Sequence, residues 1–261
     1  MAVKPEAQPG GEHQPEPAGA PTAADAPLAR APAPGRHVPF EVQPRRTLIY
    51  RVARSIFTFI MRTWFRPVVS GPGAVPLSGP VILAPVHRSF ADFGFAPFVT
   101  HRKLFFMAKD DLWHSRFLGW LLVNLGAFPV HRESADREAF HRAEAVLDAG
   151  QVLVLFPEGT RQTGTEVTDL LEGATYLAAK TGAPIVPVGI GGSAEAMPKG
   201  SKIPRRLRIQ LVVGEPIPAA PRGEKGRVSR AAVRGATAQL RQAIQVVYDE
   251  ARTRFDAALT R

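Results

Sequence analysis

The 261-residue chain is predicted to adopt an α/β fold, in which a central mixed, largely parallel sheet carries helices on both faces and follows a basic amphipathic helix. The main observation is an alternation: short apolar segments of strand length alternate with longer segments in which apolar residues recur every three or four positions. The composition, 45% apolar and 21% charged, is ordinary for a globular protein. It excludes a collagen, a coiled-coil rod and a fully disordered chain.

The first 44 residues contain ten of the 25 prolines, interleaved with Ala, Gly, Glu and Gln. Such a segment cannot bury enough apolar surface to offset the entropy lost on ordering, so residues 1–44 are predicted to be a disordered tail. The polar N-terminus lacks the pattern of a secretory signal. The sequence contains no run of about 20 apolar residues suited to a helix, so no membrane-spanning helix is expected.

Residues 45–66 contain six arginines and no acidic residue. On a helix, Val52, Ile56, Ile60 and Trp64 form one apolar stripe, with arginines beside it. One interpretation is a helix on a membrane surface, whose apolar side inserts shallowly while its cations meet lipid phosphates. The other is a helix that packs on the protein core and exposes its basic face. The aromatic residues of this acid-free segment favour the membrane.

The remainder, residues 67–261, contains the predicted sheet. Its strand segments are apolar runs bounded by Gly, Pro or polar residues. These are residues 80–86, 103–108, 126–130, 151–156, 183–190 and 207–213. Helical segments follow or separate them, the last being long and basic. These are residues 91–100, 111–125, 136–149, 171–181 and 228–255.

The chain has 33 Lys and Arg against 23 Asp and Glu, a formal charge of +10, and no cysteine. The surplus suggests an anionic partner: nucleic acid, an anionic membrane or a phosphorylated substrate. Without cysteine there is no disulfide, thiol nucleophile or iron–sulfur cluster. The seven histidines lack the spacing of metal ligands, so neither a metal nor a cofactor is expected.

Reactive side chains follow the first apolar strand directly. His87 comes at its end, Ser89 fits a helix N-cap, and Asp92 fits the reciprocal acidic position of a capping box. A carboxylate that accepts from one imidazole nitrogen leaves the other free to take a proton, which makes the pair a candidate base with its orienting acid. The alternative is that Asp92 only caps the helix and His87 is a surface residue.

Three further segments carry candidate groups. Residues 156–161, with the sequence FPEGTR, follow another buried strand and offer an acid, a flexible glycine, a hydroxyl and a guanidinium, which can grip a phosphate. Residues 126–132 form an apolar strand that ends on a basic residue, and residues 183–190 are a core segment. Taken singly, residues 156–161 could be only a polar turn with a surface ion pair, and the arginine at the end of residues 126–132 could be only a solvated side chain.

Together these segments resemble, in order, the four motifs of the glycerolipid acyltransferase family, which includes the lysophosphatidic acid acyltransferases. The matches are His87 and Asp92 for the His-x4-Asp pair, Gly126, Phe128 and Arg132 for the second motif, residues 156–161 for the third without change, and residues 186–190 for the fourth. The resemblance covers about residues 68–215. It implies that residues 67–261 are the acyltransferase domain.

The resemblance implies an O-acyltransferase of phospholipid biosynthesis. Its co-substrate is an acyl thioester, acyl-CoA or acyl carrier protein, and its acceptor is a hydroxyl of a lysophosphatidic acid-type lipid. His87 is then the general base and Asp92 its orienter, since an alcohol needs a base before it attacks. The resemblance also implies the groups that hold the phosphorylated acceptor and shape the pocket: Arg132, Glu158, Gly159, Thr160 and Arg161. No covalent acyl-enzyme is required.

Other functions stay open. The acceptor could be glycerol 3-phosphate or a glycolipid hydroxyl, or the chain could be a non-catalytic basic protein that binds membranes. Nucleic acid is not expected as a partner, because the basic residues outside the first helix and the C-terminal region do not form a stripe interleaved with aromatic residues. The expected location is peripheral, on the cytoplasmic face of the membrane.

Overall fold

The computed structural model describes residues 42, 47–109, 113–130, 137–198, 200–201, 203–222 and 227–260. Seven strands form one sheet in this part of the chain. They are β1 (Val68–Ser70), β2 (Val81–Pro85), β3 (Leu104–Lys109), β4 (Ala127–Val130), β5 (Val152–Val154), β6 (Ile185–Gly191) and β7 (Gln210–Val213). Apart from residue 42, the predicted tail lies outside the described residues.

The strand order is β1-β7-β6-β2-β5-β3-β4. Every neighbouring pair is parallel except β6 and β7, which are antiparallel, so the predicted mixed, largely parallel sheet is confirmed. Strand β2 lies between β5 and β6, and all five of its residues are buried. Because both faces of a central parallel strand are buried, its sequence is a continuous apolar run. Residues 81–84 of β2 belong to the main hydrophobic core.

The helices agree with the predicted segments, apart from the four-residue helix Ser193–Ala196, which was not predicted. They are α1 (Leu48–Phe65), a 3₁₀-helix (Phe90–Phe95), α2 (Ala96–Val99), α3 (Arg116–Asn124), α4 (Arg137–Asp148), α5 (Gly173–Thr181), α6 (Ser193–Ala196) and α7 (Arg230–Leu259). The segment predicted as one helix over 91–100 divides into the 3₁₀-helix and α2, where Pro97 lies in the first turn. Proline is favoured there because its missing N–H has no partner in a helix start.

The long helix α7 lies close against the backbone of β6. A Cβ atom at Gly189 would overlap the carbonyl oxygen of Val247, and one at Gly191 would overlap that of Ala251. Glycine at these two positions therefore lets helix and strand approach to backbone contact. This contact fixes α7 beside the central strands.

Helix α1 has two apolar faces. Tyr50, Met61 and Phe65 are buried, and Arg54 donates hydrogen bonds to the carbonyl oxygens of Pro97, Thr100 and Arg102 at 2.6 to 3.2 Å. The opposite face is solvent-exposed and includes the predicted stripe: Leu48, Val52, Ile56, Phe59, Ile60 and Trp64. The helix thus packs on the protein and also presents an apolar surface. None of the helices among the described residues has the length and apolar character to cross a membrane.

Candidate active site

The site lies at the carboxyl ends of two adjacent parallel strands. Strand β2 leads into His87, and β5 leads into residues 156–161. Parallel neighbours end at the same sheet edge, which is where α/β folds place ligands. The two segments meet there. The imidazole of His87 stacks on the ring of Phe156 with 4.1 Å between centroids. The backbone carbonyl oxygen of His87 accepts a hydrogen bond from the backbone N–H of Gln162 at 2.9 Å.

His87 and Asp92 are in direct contact. Nδ1 of the imidazole lies 3.1 Å from Oδ2 of the carboxylate. The His87 side chain is 13% exposed, whereas that of Asp92 has no exposed surface. With Nδ1 held by the carboxylate, Nε2 is the nitrogen left to exchange a proton with a bound molecule.

The backbone of the loop holds the carboxylate in place. Asp92 Oδ2 also accepts from the backbone N–H groups of Arg88 and Ser89, both at 2.6 Å, and the Ser89 side chain completes the predicted capping box. Asp92 therefore caps the 3₁₀-helix and contacts the imidazole at once. Its other oxygen, Oδ1, is buried and has no hydrogen-bond partner in the described part of the chain.

A buried ion pair lies directly behind His87. Nη1 of Arg88 donates to both carboxylate oxygens of Glu158, at 2.8 and 2.6 Å, and both side chains are almost fully buried. Glu158 Oε1 also accepts from the backbone N–H of His87 at 2.9 Å. Sequence reasoning missed Arg88. The signal available was an arginine between the two motif residues, matched by an acid at the end of a buried strand.

The turn after Glu158 faces outward. Gly159 has φ 71° and its N–H donates to the carbonyl oxygen of Phe156, which closes the turn in a conformation that favours glycine. Thr160 and Arg161 are exposed. Strand β4 ends at Val130, at the same sheet edge, but Arg132 lies outside the described residues.

A cleft of about 750 Å³ adjoins the turn, within the range typical of small-molecule sites. Its walls come from the strand ends and from α4 and α5, and they are mostly apolar. Apolar lining residues include Met107, Phe140, Leu155, Phe156 and Leu171, and basic ones are Arg137, His141 and Lys180. The cleft can take an apolar chain beside the ring on which His87 stacks. The described residues contain no group of three His, Asp or Glu side chains able to hold a metal ion.

Comparisons with known proteins agree with this geometry. A family model described as Acyltransferase matches residues 66–191, which span every site residue described above. A solved structure, the 1-acyl-sn-glycerophosphate acyltransferase PlsC from Thermotoga maritima, has the same fold. Its TM-score is 0.60, its sequence identity 24%, and the match covers 77% of this chain and 78% of that one.

Three curated relatives carry the same activity name. The 1-acyl-sn-glycerol-3-phosphate acyltransferase of Bacillus subtilis is 28% identical over 148 residues, 55% of this chain and 69% of that protein. That of Streptococcus pneumoniae is 33% identical over 139 residues, 52% and 49%. A chloroplastic one from Brassica napus is 26% identical over 182 residues, 65% and 53%. The chain thus spans about half the length of the last two.

Proposed function

We propose that the chain acylates a lysophosphatidic acid-type acceptor, because a family model described as Acyltransferase matches its residues 66–191 and three curated relatives carry the name 1-acyl-sn-glycerol-3-phosphate acyltransferase. The acyl group comes from a thioester, acyl-CoA or acyl carrier protein, and goes to a hydroxyl of the acceptor. The observation that carries this proposal is the contact of His87 Nδ1 with buried Asp92, beside the turn of residues 156–161.

The proposed reaction needs one base. Nε2 of His87 takes the proton of the acceptor hydroxyl while the oxygen of that hydroxyl attacks the thioester carbonyl carbon. The tetrahedral intermediate then collapses, the carbon–sulfur bond breaks, and the imidazolium returns its proton to the departing thiolate. Asp92 stabilises the imidazolium formed between these steps, as a buried carboxylate does in other His–Asp pairs. No covalent acyl-enzyme forms.

The acceptor carries a phosphate, which cationic side chains must hold. Arg161 is exposed at the end of the turn, where its planar guanidinium can bind phosphate oxygens in pairs. Arg132 is the second proposed cation, and the backbone of Gly159 with the Thr160 hydroxyl shapes the wall between phosphate and base. The apolar cleft beside Phe156 is suited to the fatty chain of the donor.

The proposed acceptor is a lipid of the bilayer, and α1 offers a surface that can bind one. Its exposed apolar face, which includes Ile56, Phe59 and Ile60, is of the kind that inserts at the lipid headgroup boundary. Nη2 of Arg206 lies 3.5 Å from the carbonyl oxygen of Thr63, so a further cation stands beside the end of the helix. We place the protein as peripheral, on the cytoplasmic face, with an anionic membrane as its partner.

The proposal is tested with purified protein and vesicles that contain a defined lysophosphatidic acid. Acyl-CoA and acyl carrier protein thioester are supplied separately, and the product is identified by mass spectrometry. Release of the carrier thiol together with a diacylated phospholipid supports the proposal. If only glycerol 3-phosphate or only a glycolipid is acylated, that compound takes the place of lysophosphatidic acid as the acceptor. Vesicle binding without thiol release would instead indicate a non-catalytic membrane protein.

A further inference from the structure

We propose that Arg88 and Glu158 form a buried clamp that positions His87, and that Tyr248 of α7 is a positioning residue that supports this clamp from the far end of the chain. The inference rests on the proposed function, in which His87 is the base. It assigns Glu158 to the support of the base and not to the acceptor.

All three nitrogens of the Arg88 guanidinium donate hydrogen bonds inside the protein. Nη1 donates to Glu158 and to the carbonyl oxygen of His87, the latter at 3.0 Å. Nε donates to the carbonyl oxygen of Gly164 at 3.2 Å, and Nη2 to that of Glu166 at 2.8 Å. Each of its three nitrogens donates inside the protein, and the side chain is almost fully buried, so it is not placed to bind a substrate. Its function is therefore to join two loops.

Glu158 transmits this arrangement to the base. The same oxygen, Oε1, accepts from Arg88 Nη1 and from the backbone N–H of His87. The backbone of His87 is thus held at both of its polar groups, the N–H by Glu158 and the carbonyl oxygen by Arg88 and Gln162. Since the imidazole must stay within hydrogen-bond reach of the acceptor hydroxyl, a shift of this backbone displaces the reacting nitrogen.

Helix α7 holds the other side of the clamp. The guanidinium carbon of Arg88 lies 4.9 Å from the centre of the Tyr248 ring, a cation–π contact between buried groups. The Tyr248 hydroxyl donates to the carbonyl oxygen of Gly164 at 3.4 Å. The side chain of Gln245, one turn earlier, bonds the N–H of Val167 and the carbonyl oxygen of Thr165, at 2.7 and 3.1 Å.

The loop of residues 164–167 is therefore fastened to α7 and to Arg88 together. Burial raises the pKa of the Tyr248 phenol, so the ring faces the guanidinium as a neutral group, while the carboxylate of Glu158 pairs with its charge. Tyr248, Arg88 and Glu158 form one continuous path from α7 to the backbone of His87. A change at Tyr248 reaches the base without any contact between Tyr248 and a substrate.

The test compares Tyr248→Leu, which removes the ring, with Tyr248→Phe, which keeps it, in the full-length protein. For acyl transfer to lysophosphatidic acid, we expect kcat of Tyr248→Leu to fall on the order of tenfold or more, with the acceptor KM unchanged. Tyr248→Phe should recover most of kcat. Val246→Ala, an exposed position on the same helix, is the matched control. A rise in acceptor KM with an unchanged kcat would overturn the proposal.

Histidine ¹⁵N resonances test the clamp even if the wild-type protein transfers no acyl group, which would refute the proposed function alone. The His87 ring signal, assigned by its loss in His87→Ala, should shift or broaden in Tyr248→Leu and stay in place in Tyr248→Phe. Thermal unfolding identifies any variant that fails to fold. An unmoved His87 signal in folded Tyr248→Leu would refute the clamp.

Discussion

The Nδ1 atom of His87 lies 3.1 Å from Oδ2 of Asp92, a carboxylate that is completely buried and that two backbone N–H groups hold in place. The contact is built from one short loop, because the capping box that begins the 3₁₀-helix also aims the carboxylate at the imidazole. Orientation of the base is thus a consequence of how the helix begins. A substitution of Asp92 that keeps the helix cap and removes the negative charge therefore separates capping of the helix from the effect of the charge on the imidazole.

We expect His87→Ala to lower kcat by about 10² to 10⁴, the usual contribution of a positioned general base. Asp92→Asn should produce a similar loss, since it removes the charge that stabilises the imidazolium. Initial rates of thiol release at saturating substrate measure both. His101→Ala, at an exposed histidine outside the site, serves as the control. Wild-type turnover by folded His87→Ala would contradict the assignment of the base.

Arg161→Ala should act on binding. The exposed guanidinium makes a charge-assisted contact with the acceptor phosphate in the ground state and in the transition state, so KM for the acceptor rises while kcat changes little. A loss of one such contact corresponds to roughly tenfold in KM. Kinetics over a range of lysophosphatidic acid concentrations provide the measurement, with exposed Arg234→Ala on α7 as the control. A fall in kcat at constant KM would point to a different role.

The fold was predictable because apolar periodicity reports burial directly. Each predicted strand segment contains a strand, and each predicted helical segment contains a helix. The missed strand, β1, has only three residues, none of them buried, and it pairs with β7 some 140 positions away. The antiparallel direction of β7 beside β6 was also out of reach, since an apolar run reads the same in either direction.

The site was predictable only in part. His87 and the turn of residues 156–161 stand out because reactive side chains follow buried strands, and the structure brings them together. Tyr248 left no such signal, and the position of Arg88 between the two motif residues did not reveal its partners. In the sequence, Arg88 is an arginine in a polar loop and Tyr248 is one apolar position of a helix. Only the folded structure shows that the guanidinium lies over the tyrosine ring. Long-range pairs of this kind depend on tertiary packing, which local patterns do not contain.

The exposed apolar face of α1 predicts vesicle binding. The triple substitution Ile56→Gln, Phe59→Gln and Ile60→Gln removes three large apolar side chains that are 57%, 71% and 57% exposed. Binding to vesicles with anionic lipid should therefore weaken, at little cost to folding. Flotation on density gradients measures the bound fraction. Matched substitutions at exposed Val246 and Leu259 of α7 are the control, and unchanged flotation of the triple variant would exclude α1 as the contact surface.

Arg54→Ala should weaken the attachment of α1 to the domain. The guanidinium donates to three carbonyl oxygens around α2 and to the hydroxyl of Tyr50, and these acceptors lose a charged donor together. A cost of about 2–4 kcal/mol in the free energy of unfolding follows from the strength of charged hydrogen bonds. Chemical denaturation measures it. Arg51→Ala, one turn earlier and exposed, should change stability by less than about 0.5 kcal/mol, and an equal loss there would contradict the role of Arg54.

Gly189→Ala tests the backbone contact between β6 and α7. The added methyl group would overlap the carbonyl oxygen of Val247, and neither the central strand nor a 30-residue helix can shift locally to relieve it. Overpacking of this kind costs about 1–3 kcal/mol or more, so we expect a clear loss of stability. Because α7 carries Tyr248, the same variant should also lower acyl transfer when it is assayed well below its unfolding transition. Gly235→Ala, at an open position on α7, should be neutral or stabilising, since alanine is the better helix former. Equal stability of the two variants, measured by chemical denaturation, would show that α7 does not rest on the β6 backbone at Gly189.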